Sequence, residues 1–122
     1  MKENNIKNKS FAFAVRMVKL YQYLSEQKRE FILSKQLLRS GTAVGAMVRE
    51  AEHGQSKADF IHKFAIAQKE INETIYWLEL LNATGYVDEN QFESLNNDAV
   101  EIIKIITVII KNTKNNLTPN NL

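Results

Sequence analysis

One proline occurs in the 122 residues, Pro119, and it lies in the closing run NTKNNLTPNNL. Everything upstream is free of the residue that most strongly ends a helix. The apolar spacing there is helical. Over residues 8–25, Phe11, Ala14, Val18 and Tyr21 form one stripe and Phe13, Met17, Leu20 and Leu24 a second, in steps of three and four. Over 30–53, Leu33, Leu37, Ser40, Val44, Met47 and Ala51 make a narrow seam with small residues at its middle. Gly54 suits a stop, and Ser56 with Asp59 is a start signal for a third helix over 57–83, seamed by Phe60, Phe64, Ala67, Ile71, Thr74, Leu78 and Leu81. Gly85 is placed to end that helix. Asp88 and Gln91 open a fourth over 89–111, seamed by Phe92, Leu95, Ala99, Ile102, Ile106 and Ile109. Connections this short cannot carry the chain back along a bundle, so neighbouring helices must run antiparallel. The expectation is an all-α, up-down-up-down four-helix bundle, one domain over 1–122 with a flexible polar tail at 112–122.

The apolar surface exceeds what one bundle needs. In AVEIIKIITVII only Glu101, Lys104 and Thr107 are polar, so the fourth helix is apolar over about 200° of its circumference against the roughly 100° stripe of a single core. Ile103, Ile105 and Val108 lie off its seam, as do Ile66, Trp77 and Leu80 on the third helix and Phe13 and Met17 on the second stripe of the first. Each is worth about 1.5 to 3 kcal/mol when buried, so these eight are the expected interface of a homo-oligomer.

Composition narrows the function classes. There is no cysteine, which excludes disulfides, thiolate metal sites and a cysteine nucleophile. The start MKENNIKNKS has no apolar h-region, and no run approaches the roughly 18 apolar residues of a membrane span, so a cytoplasmic bacterial protein with no membrane partner is expected. Glu50 with His53, and Asp59 with His62, echo the Glu-x-x-His spacing of di-iron bundles. At 100° per residue, however, both histidines point about 200° from core positions, and no second pair of inward carboxylates accompanies them. No phosphate loop, nucleophile elbow or acid-base pair is visible. No catalytic residue, metal or cofactor is expected.

The most distinctive string is QLLRSGTAVGAMVREAEH, where Gly41 and Gly45 are four apart amid alanines. Each costs about 1 kcal/mol of helix propensity, which close approach of a neighbouring helix would offset. Leu38-Arg39-Ser40-Gly41-Thr42, Val44-Gly45-Ala46, Val48-Arg49-Glu50-Ala51, Ser56-Lys57, Asp59-Phe60, Ile66-Ala67, Glu73 and Tyr76 to Leu81 together resemble the bacterial four-helix-bundle proteins related to those encoded in 23S ribosomal RNA intervening sequences. The resemblance spans about residues 10–110. It implies an up-down bundle and a homopentamer, and its wider relatives include the accessory variability protein of diversity-generating retroelements, which binds nucleic acid and a reverse transcriptase. Met47 and Ala43 replace the asparagine and serine common in that family, which argues against a ligand on this helix face.

Charge bears on partners. Residues 1–69 hold 13 Lys or Arg against 6 Asp or Glu, and residues 70–122 hold 3 against 8. Eight cations fall on the first helix pair: Lys7, Lys9, Arg16, Lys19, Lys28, Arg29, Lys35 and Arg39. Of these, Arg16, Lys19, Lys28, Arg29, Lys35 and Arg39 are the candidate contacts to RNA or DNA, through phosphate and not through bases, because the aromatic residues lie mostly on seams. Arg39 is also expected to pair with Glu50, Glu70 or Glu73, on its own or a neighbouring chain. Two function classes follow: a nucleic-acid-associated accessory scaffold, or a scaffold whose partner is a polypeptide.

Overall fold

A computed structural model describes residues 2–116, with side chains from 5 to 115. It contains α1 (Lys2–Glu26), α2 (Leu33–Glu52), α3 (Lys57–Ala83) and α4 (Glu89–Asn116), and no strand among the described residues. Each helix packs on its sequence neighbours, and α1 closes the square against α4. Ion pairs fix the directions. Arg39 and Glu50 on α2 meet Glu73 and Lys63 on α3, while Lys9 and Arg16 on α1 meet Glu101 and Asp98 on α4, so both pairs run antiparallel. One end of the bundle therefore carries two connections, 27–32 and 84–88; the other carries the 53–56 connection and the outer ends of α1 and α4.

Side chains set the helix ends. Ser56 caps α3 by accepting from the Asp59 N–H at 3.1 Å, and Asp88 caps α4 by accepting from the Gln91 N–H at 2.8 Å. Gly85 has φ +87°, the left-handed conformation that closes α3. The α2 start differs from expectation. Arg29 turns the chain at φ 57°, and the Glu30 carboxylate accepts from the N–H groups of Ile32, Leu33 and Ser34 at 3.1, 2.9 and 2.7 Å. Glu30 thus caps α2 from outside it, which moves the start from 30 to Leu33. Burial raises its pKa, but the hydrogen bonds from Leu33, Ser34 and Ile32 outweigh this and hold the carboxyl below its ordinary value.

The core seam of α1 is Ile6, Ser10, Phe13, Met17, Leu20 and Leu24, all buried. Ile6 explains why α1 begins upstream of residue 8: one more turn buries one more large side chain. At the other terminus α4 continues past 111 to Asn116, so the expected tail is helical through 116, and 117–122 lie outside the described residues. On α2, Ser34, Gly41 and Val48 turn toward the core beside Leu37, Ser40, Val44 and Ala51, while Met47 and Leu33 are half-buried. The expected α2 seam is off by one position at Met47, since two flanking helices draw on adjacent positions of this middle helix. Gly41 faces Met17 on α1, and the buried hydroxyl of Ser40 hydrogen-bonds Thr74 on α3 at 2.8 Å.

Candidate nucleic-acid interface and assembly surface

The residues expected at an oligomer interface separate into three groups. Phe13, 1% exposed, and Met17, fully buried, belong to the core of one bundle, which corrects their assignment: the two stripes of α1 exchange roles. Ile66, Trp77, Leu80, Ile103 and Ile105 are half-buried, and Trp77, Ile103 and Ile105 pack against the core, so most of the expected surplus on α3 and α4 is covered within the chain. Val108, at 39%, is exposed. The exposed apolar surface lies mainly elsewhere. Phe11 (55%), Val15, Val18 and Tyr23 line the outside of α1, and Phe31 and Ile32 (76%) stand on the connection that follows. Both flank the Glu30 cap, whose carboxylate takes the inward position at the start of α2.

The two glycines of α2 are unequal. A Cβ on Gly41 would collide with Met17, falling 2.8 Å from its Sδ and 3.2 Å from its Cβ. A Cβ on Gly45 would stand 3.4 Å from the Ser10 carbonyl oxygen, an ordinary contact. Beside Gly45 the small residues leave a groove of about 230 Å³ between α1 and α2, with Lys7 and Arg49 at its rim and Phe11 along it. The Arg49 guanidinium lies over the Phe11 ring at 5.4 Å.

Of the six cations expected to contact nucleic acid, two are engaged by carboxylates. Arg16 Nη2 donates to Ser94 Oγ at 3.0 Å, and its Nη1 forms an ion pair with Asp98 at 2.6 Å. Arg39 donates to Glu70 at 3.1 Å and to Glu73 at 2.7 Å, in its own chain and not to Glu50, which instead holds Lys63 at 3.0 Å. Glu70 and Glu73 raise the Arg39 pKa, while the Trp77 indole N–H, donating at 3.0 Å, and Arg39 hold Glu73 below its ordinary value. Glu50 likewise raises the pKa of Lys63. Lys19, Lys28, Arg29 and Lys35 make no ion pair among the described residues; Lys28 and Arg29 lie 5.9 and 5.5 Å over the rings of Tyr23 and Phe31. The expected set is thus split between salt-bridged and free groups.

Folding also redistributes charge along the bundle axis. The half with the single connection, residues 5–15, 42–72 and 99–115, contains Lys7, Lys9, Arg49, Lys57, Lys63, Lys69, Lys104, Lys111 and Lys114 against Glu50, Glu52, Asp59, Glu70 and Glu101. Lys7, Lys9 and Lys63 are held by Glu52, Glu101 and Glu50. Arg49, Lys57, Lys69, Lys104, Lys111 and Lys114 remain exposed there without an ion-pair partner among the described residues. The opposite half is acidic on balance. The basic end was hidden in the sequence because Arg49, Lys57 and Lys111 sit on three different helices. Exposed His53 and His62 lie at this end too, and no cluster of three or more His, Cys, Asp or Glu suited to a metal occurs among the described residues. No described helix is long and apolar enough to cross a membrane.

Comparison with known proteins agrees with this architecture. A crystal structure of a protein of unknown function from the S23 ribosomal protein family of Bacteroides thetaiotaomicron is 58% identical, with a TM-score of 0.90 over 91% of this chain and 99% of that one. No curated protein matches the sequence. The family described as 23S rRNA-intervening sequence protein matches residues 2–108. Its match covers the core seams up to Ile106, including the α2 string around Gly41 and Gly45, and the chain belongs to the 23S rRNA-intervening sequence protein family.

Proposed function

We propose that this protein is a non-catalytic helical scaffold that self-associates and offers the basic end of its bundle to RNA or DNA. The observation that carries the nucleic-acid part is the axial charge segregation: six exposed cations without ion-pair partners among the described residues in one half of the bundle, on α2, α3 and α4. Such a surface neutralises phosphates without reading bases. It is preferred to the sequence-expected set, in which Arg16 and Arg39 already satisfy carboxylates within the chain and Lys19, Lys28, Arg29 and Lys35 lie in the half that is acidic on balance. Self-association is supported by exposed apolar side chains on α1, Phe11, Val15 and Val18, and on the connection that follows it, Phe31 and Ile32. A ring of five copies is what the resemblance implies, and a cytoplasmic setting goes with a ribosomal RNA link. The absence of catalysis is supported by family and fold, and by strongly placed charged groups that serve ion pairs and caps.

The test is fluorescence anisotropy of a labelled 20-nucleotide RNA and the matching DNA duplex at low salt. Wild type is expected to bind, and the triple variant Lys57→Glu, Lys111→Glu, Lys114→Glu to lose at least tenfold in affinity. No binding by the wild type at low salt would sink the nucleic-acid reading and leave a scaffold with a polypeptide partner. Equal binding by the variant would refute the basic end as the site.

A further inference from the structure

One aromatic side chain of the basic half stands well clear of the core seams. Phe11 lies on the outside of α1, 55% exposed, along the groove of about 230 Å³ between α1 and α2. Ala14, Gly45 and Ala46 also line that groove, and their small side chains let a flat ligand sink between the two helices. The Arg49 guanidinium lies 5.4 Å over the Phe11 ring, so ring and cation together form one wall. Stacking occupies the face of a guanidinium and leaves its N–H edge free to donate. No carboxylate pairs with Arg49 among the described residues. Lys7 stands at the same rim, 3.5 Å from Glu52. The two hydroxyls of the groove are committed to their own helices: Ser10 donates to the Lys7 carbonyl at 3.2 Å, and Thr42 to the Leu38 carbonyl at 2.7 Å.

We infer that this groove takes one unpaired base of a single-stranded nucleic acid, stacked against the Phe11–Arg49 wall, with Arg49 and Lys7 donating to the adjoining phosphate. This rests on the nucleic-acid reading proposed above and adds a substrate class to it, single strands in preference to duplex. In a duplex every base is paired and stacked on its neighbours, so none can enter a slot between two helices, whereas a single strand can splay one out. An aromatic ring beside an arginine stacks bases of any identity, because every base has a π-face. With both hydroxyl hydrogens already donated, neither hydroxyl offers a donor to single out one base, so binding tolerates any sequence. Small apolar groups between the helices and cations at the rim match the two parts of a nucleotide. A purely apolar ligand would leave the Arg49 edge unanswered, and a bare phosphate would leave the ring and the small residues uncovered. Phe31 and Ile32 stand in the opposite half of the bundle, so self-association through them leaves this groove open.

The experiment is fluorescence anisotropy at low salt with three labelled probes: a DNA single strand, the same strand with tetrahydrofuran abasic units in place of its bases, and the matching duplex. Wild type is expected to bind the intact strand about fivefold or more tightly than the abasic strand, which keeps every phosphate and lacks only the bases. Two variants remove the site without touching the core, since both side chains are exposed: Phe11→Leu, which keeps apolar bulk and loses the flat ring, and Ala46→Leu, which fills the groove. Each is expected to abolish the preference for the intact strand while leaving affinity for the abasic strand unchanged. Far-UV circular dichroism and gel filtration are expected to give the wild-type helix content and mass for both. Equal wild-type affinity for intact and abasic strands overturns the base site while leaving the phosphate-binding reading standing. A preference that survives both variants places the base elsewhere and overturns this groove as its seat. A changed assembled mass in Ala46→Leu makes the groove a contact between copies and overturns the proposal as well. A wild type that binds none of the three probes overturns the nucleic-acid reading itself, and this site with it.

Discussion

Gly41→Ala should destabilise the protein in the wild-type background and stabilise it when Met17 is shortened. In a helix interior, alanine is favoured over glycine by about 1 kcal/mol. Against that gain stands the collision of the new Cβ with the buried Met17 thioether, whose Sδ would be 2.8 Å away and whose own Cβ would be 3.2 Å away. Overpacking of this kind costs about 1 to 3 kcal/mol, because a fully buried methionine can escape only by leaving its rotamer or separating α1 from α2. The net expectation is a loss of up to about 2 kcal/mol. Met17→Ala alone should cost about 2 to 5 kcal/mol through the cavity it opens. In that background only the residue-17 Cβ remains, 3.2 Å from the new one, a tight contact that a slight shift of α1 relieves, so the sign should reverse to a gain of somewhat under about 1 kcal/mol. Gly45→Ala serves as the control, since its Cβ makes only an ordinary contact at 3.4 Å from the Ser10 carbonyl, and it should be neutral or stabilising by up to about 1 kcal/mol. Urea denaturation at one protomer concentration measures all of these, the concentration being fixed because assembly adds to apparent stability. A Gly41→Ala effect of the same sign in both backgrounds would refute the close-packing account.

Glu30→Gln should cost about 1 to 2 kcal/mol by weakening three hydrogen bonds to the α2 terminus. Because the folded pKa is depressed, the Glu30 contribution is present above the ordinary value of 4.5 and is lost as pH falls through the folded value, so the wild-type advantage over Glu30→Gln in thermal melts should shrink at acid pH. Trp77 is the only tryptophan and bonds Glu73, so its emission should titrate with a midpoint below 4.5; Arg39→Ala should move that midpoint upward. Thr74→Val should cost about 1 kcal/mol by removing the hydrogen bond to the buried Ser40 hydroxyl, which keeps only a long 3.5 Å bond to the Leu37 carbonyl, and adding Ser40→Ala should recover part of the loss in chemical denaturation.

Local chemistry was readable in the sequence wherever a residue acts on its own helix. Ser56, Asp88 and Gly85 do what their types and positions announce, since capping depends on neighbours within three residues. Glu30 escaped because it caps a helix that starts three residues later and is itself placed by a non-glycine residue in a left-handed conformation, and no short pattern signals that. The α1 stripes were both visible, but spacing alone cannot say which faces inward; Ile6, about two turns upstream of Phe13, extends the Phe13–Met17 stripe and decides it. The basic end was illegible for a stronger reason. Its cations come from separate helices, and which of them stay free depends on which carboxylates the fold brings within reach.

The two surfaces lie along one axis, and this gives a test of how they work together. If the copies of the proposed assembly stand parallel, every basic end points the same way and the assembly presents them as one face. A single copy offers Arg49, Lys57, Lys69, Lys104, Lys111 and Lys114, spread around three helices, so a straight duplex can touch only some of them. Counterion release gives a slope of about −0.9 in log affinity against log salt for each duplex phosphate neutralised. A variant that removes exposed apolar surface, Phe31→Ser with Ile32→Ser, keeps all six of these cations, yet if it is monomeric it should show a shallower slope than the assembled wild type, because fewer ends reach one duplex. The same variant should also lose the gain in affinity that comes from linking several weak sites. Equal slopes for monomer and assembly would mean that each end binds alone, and that assembly serves some other purpose than presenting phosphate contacts side by side.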